Sequence, residues 1–120
     1  MKKVVSTIHF VLCIATLVAV ISEFLFAGMG VFHATSFAAH KTIGEFITYA
    51  SLAVLLLSLI GVLGKKRIGF SVLLFVLMIL QNMLVHLHQP FIAALHPLNG
   101  IAIMAVTAYL VRISGKKAQG

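Results

Sequence analysis

Two stretches of this chain place a glycine four residues after a histidine: His40 with Gly44, and His96 with Gly100. On an α-helix this spacing puts both residues on one face, about one turn apart. The glycine removes side-chain bulk beside the imidazole. That is the room a flat porphyrin needs when an imidazole nitrogen ligates its iron. Histidine is a standard axial ligand of haem iron, so His40, His96, Gly44 and Gly100 form the candidate cofactor site, with haem b as the candidate cofactor. His86 and His88 are two residues apart and point to nearly opposite faces if helical. Together with His40 and His96 they make the alternative, a site for zinc, copper or nickel, all of which suit imidazole. The plainer reading of any one of these histidines is a polar residue at a helix end near a membrane interface.

Glu23 and Glu45 are the only acids. Glu23 is expected roughly 10 Å below the end of the first helix, and Glu45 about 7 Å deeper than His40, from the rise of an α-helix. Carboxyls at such depth are costly and are candidates for proton coupling. Thr42 and Glu45 also fit a capping box, which would start the second helix at Thr42; the alternative is a start near Ser36 that makes His40 helical. Either thioether of Met29 and Met83 could be an axial iron ligand, but both are read first as packing filler. Phe24, Phe26, Phe32, Phe37 and Phe91 crowd the same end, where they either form the apolar wall of a pocket or pack and anchor at the interface. Cys13 is the only cysteine, so no intramolecular disulfide can form. His9 stands apart from the other histidines, and His33 falls in a loop.

The elements that position these groups are long apolar runs. The chain has 120 residues, 62% hydrophobic and 9% charged, too few charges for a soluble domain. Four helices are expected, roughly 4–30, 40–63, 68–88 and 91–112, each near the ~20 residues that cross ~30 Å of hydrocarbon. Residues 1–120 then form a single transmembrane domain. The fold class is all-α, an integral membrane four-helix bundle running up-down-up-down.

The net charge of +7 comes from Lys and Arg clustered beside the apolar runs. That pattern orients helices in a membrane and argues against nucleic acid as a partner. Lys2, Lys3, Lys65, Lys66, Arg67, Arg112, Lys116 and Lys117 share one side, with Lys41 alone on the other. Both termini and the Gly64–Arg67 loop are therefore expected to be cytoplasmic, and five of the six histidines to lie at the outer ends. Met1–Val18 begins like a signal peptide, but Glu23 interrupts the apolar run and no small-x-small cleavage site follows.

Segments two and four carry the marks of a weak internal repeat. Each has an Ala-Ala pair shortly before His-x-x-x-Gly, at Ala38-Ala39 and Ala93-Ala94, and each ends in Gly-Lys-Lys. Parallel repeats of this kind place sites at the repeat interface, which would set His40 and His96 at matching depth on diagonal helices. Pro90 is expected at the first position of the fourth helix. Pro97 would then kink that helix, unless a short interfacial turn precedes the membrane helix.

Over nearly its whole length the chain resembles a family of small four-helix bacterial membrane proteins of unknown function. The resemblance rests on the Phe/Gly-rich end of the first helix, His40-x-x-x-Gly44, Gln81 and Leu95-His96-Pro97-Leu98-Asn99-Gly100. More distantly, the layout is similar to one four-helix half of haem A synthase. There, histidines at the outer ends of the second and fourth helices ligate haem, which implies the same role for His40 and His96. That enzyme has two such halves, and Ser36 stands here where it has an acid one turn before the histidine. The resemblance therefore implies haem binding and not the enzyme's oxygen chemistry.

The expectation is a multi-pass protein of the bacterial plasma membrane. It would hold one haem b near the outer face for electron transfer with a quinone or another redox partner, or for haem handling. The alternatives are transition-metal binding or transport, and a cofactor-free small subunit of a larger membrane complex or homo-oligomer. No nucleophile elbow, phosphate loop or zinc-hydrolase motif is present, and whether the chain is an enzyme stays open.

Overall fold

The computed structural model describes residues 1–87 and 89–118. It contains α1 (Lys2–Val31), α2 (Ala38–Ile60), α3 (Lys65–His86), a single turn α4 (Pro90–Ala93) and α5 (Leu95–Ala118). The helices α1, α2 and α3, and the stretch Pro90–Lys116, are each long and apolar enough to cross a membrane. They form a ring in which α1 touches α2 and α5, and α3 touches α2 and α5. The start of α1 lies beside the far ends of its two neighbours: Val5 is next to Gly61, just past α2, and Phe10 is next to Gly115 on α5. The bundle is 46 Å along its longest axis.

Most large apolar side chains face outward, among them Val11, Val18, Leu25, Leu56 and Val76. In lipid an outward leucine costs nothing, so helix association relies on close packing and hydrogen bonds rather than on hydrophobic burial. The interior fits that logic. A core of Cys13, Val20, Ile47, Val54, Leu74, Met78, Ile103 and Leu110 alternates with small buried polar residues. Thr16, Ser51, Ser58, Ser71 and Thr107 are all fully buried. Each satisfies its hydroxyl on a carbonyl of its own helix, at 2.7–2.8 Å, so none carries an orphan donor into the core.

Two helices stop in the same way. At the end of α1, His33 takes φ 58°, and the amides of His33 and Ala34 donate to the carbonyls of Gly30 and Met29. At the end of α2, Val62 takes φ 45°, and the amides of Val62 and Leu63 donate to Leu59 and Ser58. Both are Schellman motifs, whose left-handed position normally holds glycine. Leu63 then turns inward and is buried.

The boundaries differ from the sequence expectation in three places. The start of α2 is Ala38, the earlier of the two expected starts, which makes His40 helical, with the Ser36 hydroxyl 3.4 Å from the Ala38 amide. Thr42 and Glu45 therefore lie inside the helix and form no capping box. Lys65, Lys66 and Arg67 form the first turn of α3 instead of a loop, because Gly64 at φ 95° completes the reversal early. Pro90 starts α4, and Pro97 falls in the first turn of α5. Its missing amide is harmless there, and it kinks no longer helix.

Candidate functional site

The starts of α2 and α5 meet at one end of the ring. His40 lies in the first turn of α2 and His96 in the first turn of α5. The two helices are diagonal, yet the imidazoles face each other, with centroids 6.2 Å apart and ring planes at 73°. Both rings are half-buried.

Each ring is held from behind. His40 Nδ1 contacts a carboxyl oxygen of Glu23 from α1, whose side chain is 12% exposed. His96 Nδ1 lies 3.3 Å from the backbone carbonyl of Gln81, and its Nε2 lies 3.1 Å from the Gln81 amide nitrogen. Asn99 donates to Gln81 Oε1 at 2.7 Å and to the Leu77 carbonyl at 2.9 Å. This chain of donors has one consistent assignment. Asn99 donates to Gln81, the Gln81 amide donates to His96 Nε2, and His96 Nδ1–H donates to the Gln81 carbonyl. Anchoring a histidine's far nitrogen on a carboxylate or backbone carbonyl is the usual way of orienting a ligand imidazole.

The glycines do not leave empty space. A Cβ on Gly44 would stand 3.2 Å from Glu23 Oε1, and one on Gly100 would stand 3.3 Å from Phe24 Cζ and 3.6 Å from Gln81 Nε2. The notches beside the two imidazoles thus hold the carboxyl of Glu23 and the ring of Phe24. The 6.2 Å between the ring centres matches the spacing of two imidazoles on opposite sides of one metal. Metal–nitrogen bonds of about 2 Å on opposite sides put the ring centres roughly 6 Å apart. On the Gly100 side a macrocycle would require movement, since the Phe24 ring and the Gln81 amide would have to turn aside. Both are ends of rotatable side chains, and Phe24 is already 39% exposed.

The remaining sequence candidates scatter. Glu45 is exposed on the outer face of α2 and does not join Glu23. His86 is exposed, with Nδ1 2.6 Å from the Asn82 carbonyl, and His88 lies outside the described residues. Among the described residues no group of three or more His, Cys, Asp or Glu side chains is placed to hold a metal ion. Of the phenylalanines, Phe24 and Phe32 line an apolar groove of about 390 Å³ with Gly28 and Met29. Phe37 packs over Gly30 and lies edge-on to His40, whereas Phe91 is exposed.

Sequence reasoning missed the opposite end. His9 is fully buried. Its Nε2 lies 3.5 Å from Ser71 Oγ and its Nδ1 3.2 Å from Ser114 Oγ, with Cys13 Sγ at 3.7 Å. Ser71 gives its own proton to the Arg67 carbonyl, so it accepts from His9 Nε2–H, and Ser114 donates to Nδ1. Arg67 is also buried. A signal was available: Ser6, His9, Cys13 and Thr16 recur every three or four residues, a polar stripe on one face of an apolar helix.

The fold and its two polar clusters define a small helical protein with the make-up of a multi-pass membrane protein and a paired-histidine centre at one end. Residues 23–88, more than half of the chain, match a family of unknown function (DUF6220), and the chain belongs to that family. The match spans Glu23, His40, Gly44 and Gln81 but stops short of His96. No curated protein and no solved structure matches the chain.

Proposed function

We propose that this is a bacterial plasma-membrane protein, running up-down-up-down with both termini cytoplasmic, that holds one haem b between His40 and His96 near the outer face. The observation that carries the reading is the pair of facing imidazoles, 6.2 Å apart, each with its Nδ1 anchored. The distant resemblance to half of haem A synthase, read from the sequence layout alone, would imply the same pair of ligands. Glu23 orients His40, and the Gln81 carbonyl orients His96. Gly100 gives passage once Phe24 and Gln81 turn aside, while the notch at Gly44 seats the Glu23 carboxyl that orients His40. Haem, when bound, supplies one-electron chemistry, for exchange with a quinone or another redox partner or for haem handling. Glu23, close to His40, is the group placed to hold a proton there; Glu45 is not.

The test is an absorption spectrum of detergent-solubilised protein expressed with haem supplied. A Soret band is expected in the wild type and in His86→Ala, and its loss in His40→Ala and His96→Ala. A wild type without the band, beside a haem-binding control, overturns the reading.

Glu45 favours a second reading, that of a subunit of a larger complex. Acids inside a membrane ordinarily face a bundle interior, yet Glu45 faces outward, one turn from Lys41. A partner helix would cover both. In a mild detergent the wild type should then run as a larger particle than Glu45→Leu; equal sizes oppose this reading.

A further inference from the structure

At the end of the bundle away from the histidine pair, a cleft of about 540 Å³ opens between the start of α1, the α2–α3 turn and the end of α5. Lys2, Lys3, Arg67 and Lys116 line it, together with Ser6 and Gly64. No acid lines it. The chain has only two: Glu23 is committed to His40 at the other end, and Glu45 lies on the outer face of α2.

Arg67 is the informative member. It is 6% exposed, and its hydrogen bonds go to neutral groups: Nε donates to the Leu63 carbonyl at 3.1 Å and Nη1 to Ser6 Oγ at 2.8 Å. A buried charge with no counter-charge is expensive. The other terminal nitrogen makes no hydrogen bond within the protein among the described residues, which leaves one side of the guanidinium fork for a ligand. Arginine's planar fork suits the oxygens of a phosphate.

The start of α3 adds an independent argument. Gly64 offers no side chain to cap it, and no acid stands in the first turn. A helix start carries partial positive charge and free amides, and favours anions. This one carries Lys65, Lys66 and Arg67 in its first turn, the sign that the helix dipole disfavours. Val62 accepts a left-handed backbone, φ 45°, in the turn that brings Gly64 and Arg67 to the cleft. Like charges and a bare helix start around one cavity are mutually unfavourable until an anion enters.

We infer that this cleft binds a phosphate group through Arg67, Lys2, Lys3, Lys116 and the free amides at the start of α3. Two sources share that chemistry: the headgroup of an anionic lipid, with exposed Val62 beside its chains, and a soluble phosphate.

The test uses the full chain in detergent. In the lipid arm, native mass spectrometry with phosphatidic acid against phosphatidylcholine should show one retained phosphatidic acid. In the soluble arm, inorganic phosphate should raise the unfolding midpoint above that in chloride of equal ionic strength. Lys3→Gln with Lys116→Gln changes only exposed side chains and should fold. Each lysine removed should weaken binding about fivefold. Arg67→Gln should abolish binding if it folds; the double lysine variant decides the matter if it does not. A response in the lipid arm alone assigns a lipid phosphate, and in the soluble arm alone a free one. No response in either arm, or binding unchanged by the double substitution, overturns the inference.

Discussion

Glu23 of α1 and His40 of α2 meet inside the bundle, carboxyl to Nδ1, with no second partner for either carboxyl oxygen. The pair is therefore a single bond between two helices rather than part of a network. Glutamine at position 23 keeps an oxygen that accepts from Nδ1–H; leucine does not. Glu23→Leu should lower stability by about 1–3 kcal/mol, the cost of orphaning a buried polar group, and Glu23→Gln by clearly less. Unfolding midpoints of the two variants in one detergent check this. Equal midpoints would show that the contact does not hold α1 to α2.

His9 should matter more to folding than the exposed histidines. It joins α1 to Ser71 of α3 and Ser114 of α5 and is fully buried. His9→Ala removes both bonds and leaves a cavity, at a cost of about 2–5 kcal/mol by analogy with large-to-small core changes. His86→Ala, on an exposed side chain, should stay within about 0.5 kcal/mol. The same unfolding assay ranks them, and a silent His9→Ala would refute the central place given to this residue.

The contrast between these residues also marks how far the amino-acid pattern could be read. Four apolar runs imply four membrane-length helices, because lipid demands length and apolarity whatever the partners. The facing of His40 and His96 was expected from matched His-x-x-x-Gly spacing. What fills the notches beside them was not, because Glu23 and Phe24 arrive from α1, and one helix's spacing says nothing of its neighbour's rotation. His9 was set aside for the same reason: its partners are serines on two other helices, and serine is unremarkable in a membrane segment. The Thr42–Glu45 capping signal failed because Ser36 and Phe37 start the helix earlier, and local capping contributes only about 1 kcal/mol against a whole extra turn.

Phe24 and Gly100 provide a direct test of the paired-histidine centre. The Phe24 ring fills the notch that Gly100 leaves, so Phe24→Ala should open it. Because this side chain is 39% exposed, its loss should cost well under the ~3–5 kcal/mol of a buried phenylalanine. Haem occupancy under limiting haem should rise in Phe24→Ala. Gly100→Leu should eliminate it, since the larger side chain takes the same room permanently. Lower occupancy in Phe24→Ala would mean that the ring supports the cofactor rather than excluding it.

Adjacent positions at the end of α2 should respond with opposite signs. A Cβ on Gly61 would stand 2.7 Å from Leu63 Cδ2 and Val5 Cγ1, and 3.0 Å from the Leu57 carbonyl. The carbonyl belongs to the helix backbone and cannot yield, so Gly61→Ala should cost about 1–3 kcal/mol by overpacking. Val62, at φ 45°, is a β-branched residue in the left-handed region, where a side chain costs about 1–2 kcal/mol. It is 66% exposed, so little packing is lost with it. Val62→Gly should therefore stabilise the protein by about 0.5–1 kcal/mol, after allowing for glycine's greater freedom when unfolded. Paired midpoints in one detergent decide the signs. A stabilising Gly61→Ala or a destabilising Val62→Gly would mean that this turn takes another backbone form in the membrane.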